Sequence, residues 1–201
     1  MARTQAVDYE RRREEIVERA ARLFAERGFH GASIADLAVA CGSSKSLLYH
    51  YYESKEDILY DVMYSHVKAL IDAAEEVAAN PIDPAKKLKA ITRQFVQLYL
   101  GAAYRQRVLL NELGHLGVAQ RKTIVNIQRR LIEIVEEILV GVRPALSSQP
   151  SLKRPAAMLY FGMINWMHTW LNPAGRAKPA KIAEMAVNTF LDGICNAEIP
   201  A

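Results

Sequence analysis

Ser44, Lys45, Ser46, Tyr49 and His50 crowd one short stretch of the chain, and their side chains share a chemistry. Each can donate or accept hydrogen bonds, and none is placed beside a partner that would make it a nucleophile. Lysine can donate to guanine O6 and N7 or to a phosphate. A tyrosine ring can meet thymine methyls while its hydroxyl reaches a phosphate. Serine hydroxyls serve either phosphate or base, and His50 suits backbone phosphate. The bland alternatives are a packed tyrosine at 49 and a solvated lysine at 45. Such groups read a duplex only from a rigid, exposed element, so the flanking residues decide the matter.

Those flanks predict two short helices joined by a tight turn, running straight into a third. Ser33 is a helix N-cap whose hydroxyl can accept from a free backbone N–H one turn on. Asp36 in that first turn suits the helix dipole. Ile34, Leu37 and Ala38 supply apolar residues at helical spacing. Gly42 ends the helix because glycine enters the left-handed region at no steric cost. Ser43 or Ser44 caps the second helix, through Leu47, Leu48 and Tyr49. The geometry is that of a helix-turn-helix, whose second helix can lie in a DNA major groove. Ser33 at one helix start, and Lys55 at the start of the long helix that follows, are further candidate anion contacts.

The pattern S-I-x-x-L-A-x-x-x-G-x-S-x-x-x-L-Y-x-Y-Y-x-S-K-E, from Ser33 to Glu56, resembles the DNA-binding core of TetR-type (tetracycline-repressor-like) regulators. Three residues depart from that family's usual choices: Ser43 for valine, Ser46 for glycine or alanine, and Tyr52 for phenylalanine. The resemblance implies an all-α protein. An N-terminal three-helix helix-turn-helix domain (1–53) would bind DNA, and a helical domain (54–201) would hold an effector and dimerise.

Composition agrees with a helical, folded chain. Of 201 residues, 51% are apolar, enough for a sizeable core, and glycine and proline sit at breaks between periodic segments. Cys41 and Cys195 lie too far apart in sequence to suggest a metal site or a disulfide framework, and small packed residues are expected at both. The first 27 residues are charged and lack an apolar core segment, so no leader is expected, and no run is long enough to span a membrane. A cytoplasmic protein follows. Residues 1–56 carry nine Lys+Arg and nine Asp+Glu, so any DNA affinity must come from placement of charge.

Periodicity predicts helices over about 9–27, 54–79, 84–104, 106–116, 118–142, 151–171 and 178–196, besides the two short ones. Residues 1–8 read as a frayed terminus. Arg11, Arg12 and Arg13 are either a solvated run or phosphate contacts. In the second half, Leu159 to Trp170 is apolar nearly all round, which predicts burial on every side. A pocket wall is the functional reading of Phe95, Tyr99, Met163, Asn165, Trp166, His168 and Trp170; simple core filling is the alternative. The segment Trp166 to Gly175 resembles a W-x-x-x-W-Y-x-P-x-G pattern of TetR-like regulators that sense acyl-CoA thioesters, with Leu171 where tyrosine is usual. Ile182, Met185, Ala186, Thr189, Phe190, Gly193 and Ile194 are expected to share one face of the last helix. The resemblance makes that face part of a four-helix dimer interface.

No H-E-x-x-H spacing, Gly-rich phosphate loop or G-x-S-x-G elbow occurs, so no catalytic residue, metal or cofactor is expected. The reading is a homodimeric transcriptional regulator, a repressor on a palindromic operator in double-stranded DNA, released by a small-molecule effector that an acyl-CoA thioester would fit. The alternatives are a helical ligand-binding protein without DNA affinity and a small all-α enzyme.

Overall fold

The computed structural model describes residues 2–172 and 174–196, with side chains from residue 7 onward. Among these there is no strand. Ten helices follow in order: α1 (Ala2–Gly31), α2 (Ile34–Ala40), α3 (Lys45–Tyr51), α4 (Lys55–Ala79), α5 (Pro84–Gly101), α6 (Ala103–Asn111), α7 (Val118–Val142), α8 (Pro150–Asn165), α9 (Met167–Trp170) and α10 (Pro179–Asn196). Short 3₁₀ turns at Leu113–His115 and Pro144–Ser148 precede α7 and α8.

The helix starts and stops follow local chemistry. α1 begins at Ala2 and not at Tyr9, since nothing in between breaks a helix. It is interrupted at Gly28, whose φ of 73° lies in the left-handed region. Ser54 caps α4 by accepting from the Asp57 amide at 3.1 Å. Asp83 caps α5, with Pro84 in its first turn. The helix expected over 106–116 starts earlier, at Ala103, and yields to the 3₁₀ turn after Asn111.

Two compact units result. The first holds residues 2–67 and Tyr104–Val125. It contains the helix-turn-helix, the first part of α4, and, from far along the chain, α6, the following 3₁₀ turn and the start of α7. Its core takes Ile16, Ala20, Phe24, Leu37, Leu48, Ile58, Leu59, Met63 and Ile124, all buried.

The second unit holds Lys68–Ala103 and residues 126–196. Leu88, Ile91, Phe95 and Tyr99 of α5 pack with Ile134, Val135 and Leu139 of α7 and Ala157, Tyr160 and Ile164 of α8. Gly141 lets α7 approach the start of α5: a Cβ there would lie 2.8 Å from Pro84 Cγ.

Three expectations for this unit change. The helix expected over 151–171 ends at Asn165, because the Thr169 amide turns to Trp166 O at 3.1 Å in a tighter i→i+3 bond. α8 is also not buried on all sides: Ala157, Tyr160, Phe161 and Ile164 face the core, while Met158, Leu159 and, at its cap, Trp166 are exposed. The stripe on α10 divides, with Ala183, Ala186, Val187 and Leu191 inward and Met185 outward, because α10 presents two different faces. Cys195 is exposed and not packed, whereas Cys41 is half-buried. No helix among the described residues is long and apolar enough to cross a membrane.

Candidate nucleic-acid interface

The turn before α3 is built from backbone hydrogen bonds. Gly42 takes φ 57°, the Gly42 amide donates to Val39 O at 3.0 Å, and the Ser43 amide donates to Ala38 O at 2.9 Å. This is a Schellman closure, and glycine is the residue that adopts it without strain. Ser44 then caps α3, accepting from the Leu47 amide at 3.1 Å. One turn earlier Ser33 and Asp36 form a reciprocal capping box on α2. Those bonds, first from the Ser33 hydroxyl and then from its amide, hold the Asp36 carboxyl below its usual range.

With both ends fixed, α3 has one inner and one outer face. Leu48 is buried. Lys45, Ser46, Tyr49 and His50 are exposed, and their spacing sets them side by side along the outer face. Tyr49 is 55% exposed, which removes the packed-aromatic alternative. Tyr9 of α1 stacks on Tyr51 with centroids 4.6 Å apart, and His50 meets the Tyr51 ring edge-on at 5.3 Å.

The far end of α3 is anchored from beneath. Tyr52 Oη donates to Asp61 Oδ2 at 2.5 Å, and Arg13 Nε and Nη2 donate to the two Asp61 oxygens at 2.9 and 2.8 Å. Burial, and then the hydrogen bond to Asp61 and its charge, push the Tyr52 hydroxyl well above its ordinary range. Arg13 is therefore committed to Asp61 and not simply a solvated residue. Arg11 and Arg12 pair locally with Glu15.

Lys55 is also turned inward. Its Nζ donates to Phe29 O at 2.9 Å and Ala32 O at 3.0 Å, and lies 4.0 Å from the Phe29 ring centroid. The α1–α2 connection thus takes two of its three N–H donors. Sequence reasoning missed both this role and the Arg13–Asp61–Tyr52 network. One signal was there: an aspartate at 61 amid Ile58, Leu59, Val62 and Met63, nine residues after a tyrosine where phenylalanine is usual.

The residues proposed for an effector wall differ in burial, from core to surface. Phe95 and Tyr99 are buried, and Phe95 stacks on Phe161 at 6.2 Å. Beside them Tyr160 Oη and Thr92 Oγ1 share a buried hydrogen bond of 2.9 Å. Met163, Asn165 and His168 are half-buried, and His168 Nδ1 lies 2.5 Å from Asn165 O. Trp166 and Trp170 are 66% and 53% exposed. Pro173 of the tryptophan-rich segment lies outside the described residues. No group of three His, Cys, Asp or Glu side chains among the described residues is arranged to hold a metal.

Comparison with known proteins follows the same division. Residues 16–62 match the family model described as bacterial regulatory proteins, tetR family, and residues 81–194 match the tetracyclin repressor-like C-terminal domain. The HTH-type transcriptional repressor KstR2 of Rhodococcus jostii is 25% identical over 190 residues, covering 92% of each chain. A TetR-family transcriptional regulator from Bordetella parapertussis is 38% identical, with a TM-score of 0.87 over 94% of this chain and 98% of that one. The regulator AibR, solved in complex with isovaleryl coenzyme A and operator DNA, is 27% identical, with a TM-score of 0.74 over 89% of this chain and 97% of its own.

Proposed function

This chain belongs to the TetR family and is a DNA-binding, ligand-responsive transcriptional regulator, and from that premise we propose that it is a cytoplasmic repressor. It binds a palindromic operator as a homodimer and lets go when an acyl-CoA thioester binds. The observation that carries the DNA reading is the outer face of α3. Lys45, Ser46, Tyr49 and His50 stand exposed on a helix fixed by caps and by a buried anchor. Ser33 and Ser44 act chiefly through their helix starts, since their hydroxyls are engaged in capping. Lys55 keeps one N–H for a phosphate.

The functional division we propose assigns residues 1–53 to operator reading and 54–201 to effector binding and dimerisation. Met158 and Leu159 on α8, Trp166 just after it and Met185 on α10 are large apolar side chains left exposed. A twofold copy would cover them, as isologous interfaces do. That assigns Trp166 and Trp170 to the dimer surface. The effector site is then placed among Phe95, Tyr99, Met163, Asn165 and His168. The acyl-CoA class is supported by AibR, which was solved with such a ligand. Two recognition helices about 34–36 Å apart would enter successive major grooves. An effector that prefers another separation, with coupling of about 1–3 kcal/mol, would weaken the complex roughly 5–150-fold.

Footprinting on DNA upstream of the gene tests this reading. The expected result is protection of a palindrome, weakened by salt and dissolved by one member of an acyl-CoA series that includes isovaleryl-CoA. Binding equally strong to unrelated DNA, with no protected palindrome, overturns it.

A further inference from the structure

Where α1 breaks at Gly28, two charged side chains from distant parts of the chain engage the amide and the carbonyl of Phe29, and the carbonyl also accepts from the Ala32 amide at 3.4 Å. The Phe29 amide donates to Glu112 Oε2 at 3.3 Å. The Phe29 carbonyl accepts from Lys55 Nζ at 2.9 Å, as does that of Ala32 at 3.0 Å. Glu112 Oε1 lies 3.8 Å from where a Cβ on Gly28 would stand, so the carboxylate lies against the glycine. Glu112 is itself fixed: His115 Nε2 is 3.2 Å from its Oε2, and the side chain is only 16% exposed. The His115 ring stacks on Phe29 with centroids 5.3 Å apart, and His30 meets His115 edge-on at 4.4 Å.

The connection from Gly28 to Ser33 decides how α1 is directed relative to α2. α1 bears Tyr9 against Tyr51 and Arg13 against Asp61, which also holds Tyr52, so its direction is felt at the C-terminal end of α3. From these contacts we infer that Glu112, far outside the helix-turn-helix in sequence, is a positioning residue for operator reading. It acts by accepting the Phe29 N–H and so fixing the α1–α2 connection. Charge is secondary: what matters is an acceptor oxygen at the right reach. The inference rests on the DNA-binding reading above.

Three substitutions separate reach from charge. Glu112→Gln keeps an acceptor oxygen at the same distance and loses the charge. Glu112→Asp keeps the charge and withdraws the oxygen by one methylene. Glu112→Ala removes both. Affinity for the footprinted operator is measured by fluorescence anisotropy, and exchange of the Phe29 amide by NMR, on the full-length protein.

Losing one hydrogen bond to a charged acceptor is expected to weaken operator binding on the order of tenfold in the Asp and Ala variants and to speed Phe29 exchange, while Gln stays near wild type in both. If Ala fails to fold, the Asp and Gln pair carries the comparison. Asp and Ala variants that bind as wild type overturn the inference. So does a Gln variant as weak as Ala, which would assign the effect to charge. Wild-type protein that binds no DNA overturns the functional reading beneath it as well, an outcome seen before any variant is compared.

Discussion

Arg13 and Asp61, 48 residues apart, meet in two parallel hydrogen bonds of 2.9 and 2.8 Å, and Asp61 turns its remaining capacity to the Tyr52 hydroxyl. Three elements are tied by this one carboxylate: α1 through Arg13, the end of α3 through Tyr52, and α4 through Asp61 itself. Bidentate guanidinium–carboxylate pairs fix geometry as well as charge. Here that geometry sets the angle at which α3 is held.

Removing the carboxylate should therefore cost more than removing the hydroxyl. Asp61→Ala leaves the Tyr52 hydroxyl and part of Arg13 unpaired. The Arg13 side chain is 41% exposed, so water recovers some of its loss. A destabilisation of about 2–3 kcal/mol is expected. Tyr52→Phe leaves the Arg13–Asp61 pair whole and should cost about 1 kcal/mol, with operator binding kept. Urea denaturation of the two variants checks the order; equal costs would mean that Asp61 is not the shared partner.

The outer face of α3 makes a different prediction, since Lys45 and Tyr49 stand exposed on it. Lys45→Ala and Tyr49→Ala should leave the unfolding midpoint where it is and weaken operator binding. If Lys45 meets a phosphate, its loss lowers the salt dependence of binding by roughly one counterion. If it meets a base, the slope stays and discrimination between operator variants falls. Titration across a salt series against two operator sequences separates the cases, and binding unchanged by either substitution would sink the assignment of α3.

His66 gives the protein a pH-dependent stability. It lies buried on α4 with Nε2 2.8 Å from Gln106 Oε1. Burial pushes its pKa down to about 4; the bond to Gln106 opposes the shift and nearby Arg105 adds to it. Above pH 6.5 the ring is neutral in folded and unfolded chains alike, so it contributes no slope there. As pH falls from about 6.5 toward 4 the unfolded chain takes up a proton that the folded one refuses, and stability is lost, by about 3 kcal/mol at most. His66→Gln removes the titration and retains an amide for Gln106. Its stability should fall less than wild type between pH 7 and pH 4.5 in parallel denaturation curves. Identical falls would place the acid sensitivity elsewhere.

The contrast between Leu48 and Lys55 shows how far the sequence could be read. Leu48, Gly42, Ser33 and Ser44 were legible because caps, turns and apolar spacing act within a few residues, and the structure uses each as local chemistry predicts. Lys55 was legible in position but not in direction: its carbonyl partners are Phe29 and Ala32, and nothing near Lys55 in sequence announces them. Arg13 failed for the same reason, hidden in a run of three arginines of which only one finds a distant carboxylate. Glu112 lies 83 residues beyond the amide it accepts, a pairing that no periodicity encodes. On α8, an apolar residue at helical spacing marks burial against something, but spacing alone does not separate a core from a partner's surface.

That last ambiguity can be settled at Leu159 and Trp166. Leu159 on α8 and Trp166 at its C-terminal cap are 72% and 66% exposed, while Tyr160 and Ile164 of α8 are buried in the core. A charge at either exposed position meets no neighbour within the second unit that would destabilise it, so the monomer should keep its helix content and unfolding midpoint measured at low concentration. In a twofold dimer that covered this face the same charge would appear twice in one interface, where burying it unpaired is costly. Leu159→Asp and Trp166→Asp should therefore convert a dimer to a monomer by light scattering coupled to gel filtration. Operator binding should weaken with it, because a single helix-turn-helix reads only half of a palindrome. If Trp166 instead lined the effector site, Trp166→Asp would remain dimeric and bind operator, and only release by the acyl-CoA thioester would be lost.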